Sequence, residues 1–160
     1  MLVGFTGMDA PNFVENLAGA MVDAGMQRMA ARVFSAVLAS PEGELTPAQV
    51  AEQLQVSAGA VSGAVGYLTQ AGMIRRRHVP GSRSTALGLG DDIWYEALTS
   101  RNAVIERWFA VAQAGLEELP PGGPAAQRVE VMRDFFAFVL GELPDLMERW
   151  RARRVETYGY

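Results

Sequence analysis

Four arginines and the only histidine of the chain fall close together, as Arg75, Arg76, Arg77, His78 and Arg83. They lie in an acid-free window between Glu52 and Asp91, so the formal charge of −4 divides into +4 for that window and −8 for the remainder. A guanidinium is a permanent cation whose fork of donors suits phosphate oxygens. A basic block on an acidic body is what a phosphate backbone selects, because each neutralised phosphate releases condensed counterion. Catalytic chemistry has less to stand on. A single histidine and no cysteine leave no catalytic triad, thiolate nucleophile or histidine metal cluster within one chain. The acid pairs Asp91-Asp92 and Glu117-Glu118 read as helix-end charges, and Gly59, Gly63 and Gly66 fall inside a helix, not in a phosphate loop. The expectation is therefore a protein that is not an enzyme and uses no metal or cofactor.

The elements that would position the arginines are legible upstream. Thr46 reads as a helix N-cap, Pro47 as its first residue and Gln49 as the partner that closes a capping box. Val50, Ala51 and Leu54 share a face of that short helix, and Gln55-Val56 make a tight turn. Ser57 caps a second helix with Val61, Ala64, Val65 and Leu68 at helical spacing, ending at Gly72 with Met73 folded back. A strand from Ile74 to Val79 follows, then Pro80-Gly81 as the centre of a type II turn, then a return from Ser84 to Leu89. Two short helices, a short turn and a basic hairpin form a winged helix-turn-helix.

The chain of 160 residues is long enough for a proper core, and its 49% hydrophobic content is that of a globular protein. No run approaches 18 uncharged apolar residues, and Asp9 without a basic residue in the first ten is unlike a secretory leader. A cytoplasmic protein is expected. One helix is predicted from Asn12 with Phe13, Leu17, Ala20, Met21 and Ala24 inward, and another over residues 27–39. After the module, a long helix opens at Asp91-Asp92, and Pro120-Pro121-Gly122-Gly123-Pro124 breaks it. Two more helical pieces follow, over 125–140 and 144–154. The fold class is mainly α with a small β-hairpin: residues 1–25 a dimerisation helix, 26–90 the winged helix-turn-helix, 91–160 a helical dimerisation and effector region. The flanking helices carry more apolar surface than one small domain hides, which predicts a homodimer. A two-fold dimer places two recognition helices on one groove face, about ten base pairs apart, and so predicts an inverted-repeat site.

The outward side of the second module helix offers Ser57, Gly59, Ala60, Ser62 and Gly63, with Gly66 beyond. It lacks the Arg, Asn and Gln side chains that make bidentate base contacts, apart from Gln70 at its end. Close approach to the sugar-phosphate wall, with hydroxyl contacts from the serines, is one reading of the glycines, and loose packing or coding bias is the other. On the hairpin, Arg75 and Arg77 share one strand face while Ile74, Arg76 and His78 share the other. Arg75, Arg77, Arg83 and Ser84 are the candidate DNA contacts there, with Arg83 at the tip able to enter a minor groove. Arg149, Arg151, Arg153 and Arg154 read as complements to a helix C-terminus.

Several of these segments resemble the GbsR-like branch of the MarR superfamily. Gly25-Met26-Gln27-Arg28-Met29-Ala30-Ala31-Arg32-Val33 is similar to the segment preceding that family's DNA-binding module. Leu45-Thr46-Pro47 through Ser57, then Val61-Ser62-Gly63-Ala64-Val65 and Tyr67-Leu68, look like its helix-turn-helix, and Val79-Pro80-Gly81-Ser82-Arg83 like its wing tip. The resemblance implies a homodimeric transcriptional regulator of double-stranded DNA, often a repressor, sometimes relieved by a small effector. One position departs: relatives commonly carry Arg before the Tyr-Leu pair, where this chain has Gly66. Trp94, Tyr95, Trp108 and Phe109 follow the wing and could cage an effector such as a quaternary ammonium, or serve in packing. A winged helix used only for protein contact is the alternative, and Gly66 is the feature that favours it.

Overall fold

The computed structural model describes residues 10–81, 83–90, 93–94 and 102–160. Two compact units divide the chain, Met1–Ala97 and Leu98–Tyr160. The first contains α1 (Ala10–Asp23), α2 (Arg28–Ala39), β1 (Glu44–Leu45), α3 (Pro47–Leu54), α4 (Ala58–Gln70), β2 (Ile74–His78) and β3 (Thr85–Leu89). The second is a helical hairpin of α5 (Asn102–Glu118) and α6 (Pro124–Tyr158).

Helix α2 is the spine of the first unit. Its Ala30, Ala31, Val33, Phe34, Ser35, Ala36 and Val37 are all buried, so it is covered on every side rather than along one stripe. Helix α1 packs on one flank, and α3, α4 and the sheet take the others. The contact face of α1 is rotated from the predicted stripe: Val14 and Ala18 are buried, while Ala20 and Ala24 are exposed. Helix α2 is thus met along Val14 and Ala18, with Phe13, Leu17 and Met21 half-buried beside them. Val14 joins the same buried cluster as Phe34, Val50, Leu68 and Leu87, so the predicted boundary at residue 25 is a turn within one core. Gly25 makes that turn at φ +96, with the Met26 amide reaching back to the Met21 carbonyl at 3.0 Å.

The sheet has the order β1-β3-β2, all antiparallel. The two-residue strand β1 was not anticipated; it is too short for any alternation, and only its pairing with Gly88 and Leu87 defines it. Directly opposed residues share a face. Ile74, Arg76 and Leu87 therefore look toward the helices, and Arg75, Arg77, Gly88 and Glu44 look outward.

The predicted break at residues 141–143 does not occur. Helix α6 runs for 35 residues through Pro144. Proline removes one donor there, yet its fixed φ is already helical, and the turns on either side hold the axis. Ala112, Ala126 and Met147 are the buried apolar residues among those described in this unit. The opening of the helix predicted at Asp91-Asp92 lies outside the described residues.

Candidate nucleic-acid interface

Local side-chain chemistry fixes the two module helices. The Thr46 amide donates to Gln49 Oε1 at 2.8 Å, and the Gln49 amide donates to Thr46 Oγ1 at 3.2 Å, completing the capping box. Helix α3 ends at Gln55, a left-handed residue at φ +55, where the Val56 amide returns to the Ala51 carbonyl at 3.0 Å. Ser57 Oγ accepts from the Ala60 amide at 3.2 Å and starts α4. At the far end Met73 donates to the Leu68 carbonyl at 2.9 Å and Gly72 to that of Thr69 at 3.1 Å, the paired bonds of a Schellman stop. Val61, Ala64, Val65 and Leu68 are buried as predicted, which fixes the opposite side of α4 as its outer face.

That outer face is bare. Ala58, Gly59, Ser62, Gly63 and Gly66 are exposed and Ala60 is half-buried. A Cβ placed on Gly63 or Gly66 would meet nothing within 4 Å, and one on Gly59 would meet only Ser57 Oγ at 3.9 Å. Nothing inside the protein requires these glycines, although each weakens the helix by about 0.8–1 kcal/mol relative to Ala.

The hairpin sorts the arginines. Arg76 lines a cavity of about 150 Å³ with Ala58 and Ser62 of α4, Pro47 of α3, and Val65, Thr85 and Leu87. It stands beside the amino-terminal half of α4, a position that pattern reading had assigned only to a strand face. Arg77 is on the opposite face, and its guanidinium forks onto the Glu44 carboxylate, with Nε donating to Oε1 at 2.9 Å and Nη2 to Oε2. That bond holds the Glu44 carboxyl below the ordinary carboxylate range and raises Arg77. Arg75 is exposed on the same outward face. Pro80 and Gly81, the latter at φ +77, form the turn, and the Val79 amide closes it on the Ser84 carbonyl at 3.2 Å. Arg83 is exposed at the tip and Ser84 is half-buried.

The aromatic candidates fall in different units. Trp94, in the first, meets Phe34 edge to face at 6.1 Å. Trp108, in the second, lies 5.6 Å from Phe136, and Phe109 is half-buried. Tyr95 lies outside the described residues. Near the carboxyl end, Arg154 Nε donates to the Tyr160 carbonyl at 3.1 Å, consistent with a cation complementing a helix terminus. Among the described residues no helix is long and apolar enough to cross a membrane.

Two capped helices joined by a tight turn, followed by a hairpin that pairs with β1 in a three-stranded antiparallel sheet, define a winged helix-turn-helix protein. A model of the MarR family matches residues 24–83, and one of MmpR5-like MarR family transcriptional regulators matches residues 92–153. Two parts of the chain are thus similar to winged-helix transcriptional regulators of the MarR family, which are not enzymes. It is similar to the HTH-type transcriptional regulator MmpR5 of Mycobacterium tuberculosis (strain ATCC 25618 / H37Rv), 26% identical over 149 residues covering 92% of this chain and 90% of that protein. It is also similar to a crystal structure of a transcriptional regulator, with a TM-score of 0.74 and 25% identity over 91% of this chain and 99% of that one.

Proposed function

We propose that this chain is a cytoplasmic, homodimeric repressor that binds double-stranded DNA at an inverted repeat. The observation that carries the reading is the bare outer face of α4 standing beside Arg76, with Arg83 exposed at the wing tip. A helix face without side-chain bulk can approach a groove wall closely, and the flanking cations meet the phosphates. With few base-reading side chains on α4, specificity comes from groove shape and from Arg83 in a narrow minor groove.

The second unit supports the homodimer. Val104, Trp108 and Val111 form one exposed stripe on α5, and Val131, Phe135 and Phe138, 59–70% exposed, form another on α6. Contiguous apolar faces of this kind mark an interface, and a second copy is the economical partner. The GbsR-like resemblance, over about residues 12–90, is part of this proposal, while residues 92–153 match the MmpR5-like model. An effector would be met by the half-exposed Trp94 ring of the first unit or by the half-exposed Trp108 ring of the second, each taken by itself. The test is selection of duplexes from a random pool by purified protein. Enrichment of an inverted repeat with half-site centres about ten base pairs apart supports the reading. Failure to enrich any duplex would leave the winged helix as a protein-contact module.

A further inference from the structure

We infer that Glu44 sets how much of the wing's charge the DNA backbone meets, by holding Arg77 in an internal ion pair that takes the place of a phosphate; the inference rests on the DNA-binding reading above. Glu44 lies on β1 and Arg77 on β2, with β3 between them. The register puts Glu44 opposite Gly88 and Arg77 opposite Ala86, so the pair crosses the middle strand on a diagonal. The Glu44 side chain lies over Gly88, where a Cβ would meet its Cγ at 3.4 Å and Oε1 at 3.5 Å in ordinary van der Waals contact. The carboxylate fills the same planar fork of donors that would engage a phosphate. The side chains remain 64% and 34% exposed, so the pair sits where an approaching duplex would encounter it.

A neutral pair releases no counterion. Arg76 and Arg83 have no ion-pair partner among the described residues, so the wing offers those charges freely and withholds that of Arg77. The effect is to lower sequence-independent attraction while leaving the cations beside α4 and at the tip in place.

The test compares the wild-type chain with Glu44→Gln, which keeps the side-chain length and removes the charge. Arg77→Ala and the double substitution complete the set. Binding to a mixed-sequence duplex is measured by anisotropy across a salt series. The expected result is a steeper salt dependence for Glu44→Gln by about one counterion per subunit, and non-specific binding roughly five-fold tighter per subunit at 0.15 M salt. The double variant, neutral like the wild-type pair, should lose that gain, and Arg77→Ala alone, which leaves an unpaired carboxylate on the wing, should weaken non-specific binding. A Glu44→Gln protein with the wild-type salt slope, or with weaker binding, would overturn the inference while leaving the DNA-binding reading intact. Absence of duplex binding by both proteins, at unchanged thermal midpoints, would overturn the reading and this inference with it.

Discussion

Gly63→Ala should make the protein more stable and a poorer DNA binder. The position is exposed in the middle of α4, and an added Cβ has nothing within 4 Å to strike. Alanine in place of a helical glycine then gains about 0.8–1 kcal/mol from backbone entropy. For a unit of this size that is a rise of roughly 4–8 °C in the midpoint of its own thermal transition. If the helix backbone lies against a groove wall, the same methyl is forced into a close-packed contact. Overpacking of that kind costs about 1–3 kcal/mol, a loss of roughly 5- to 150-fold in affinity. Calorimetry and anisotropy on one preparation read both effects. Gly19→Ala in α1, where an added Cβ also meets open space, is the control that should stabilise without weakening DNA binding. A Gly63→Ala protein that is stabilised and binds its selected site with wild-type affinity would refute the close-approach argument.

Gln55→Gly should raise stability by up to about 1 kcal/mol in denaturant titration, because a left-handed non-glycine residue is strained, though the Gln55 Nε2 bond to the Glu52 carbonyl at 2.9 Å is lost. The Glu44 carboxyl is held below its unfolded value, so its stabilising contribution is present above the ordinary carboxylate range and lost as pH falls through the lowered value. Glu44→Gln should accordingly flatten the acid limb of a stability-against-pH profile. Titration with apolar or quaternary ammonium ligands should change tryptophan fluorescence in the wild type and less in Trp108→Phe; an identical response would remove Trp108 from any effector site. Sedimentation at micromolar concentration should show a dimer, and a stable monomer would contradict the use made of Val131, Phe135 and Phe138.

The helix-turn-helix was legible because its boundaries are written in adjacent residues. Thr46 with Gln49, Ser57 before Ala58, and Gly72 with Met73 are local devices whose partners lie within five positions. The partition of the arginines was not legible, because it depends on a residue 33 positions away. Glu44 lies outside the acid-free window that marked the wing as basic, and a two-residue strand is invisible until β3 pairs with it. Pattern reading placed Arg76 and Arg77 on opposite faces correctly, yet could not say which face adjoins α4. The packing of Ile74 and Leu87 into the core decides that. Pro144 misled for a different reason: proline opposes helix formation by a fixed local amount, and a 35-residue helix has many bonds against it. The stripe on α1 is turned by one position, from Phe13 and Leu17 to Val14 and Ala18, because the small Ala18 lets that helix approach α2.

The measurement that bears most directly on the wing and α4 as a DNA-reading surface is the salt dependence of binding to the selected duplex for wild type, Arg83→Ala and Arg76→Ala/Arg83→Ala. Each arginine that meets a phosphate should make the slope shallower by roughly one counterion per subunit, hence about two per dimer, with affinity falling in step. If Arg83 instead lies in a narrow minor groove, its loss should weaken sites with A·T-rich flanks more than G·C-rich ones. A double variant that stays dimeric and keeps wild-type affinity and slope would contradict the account and leave the winged helix as a surface for another protein.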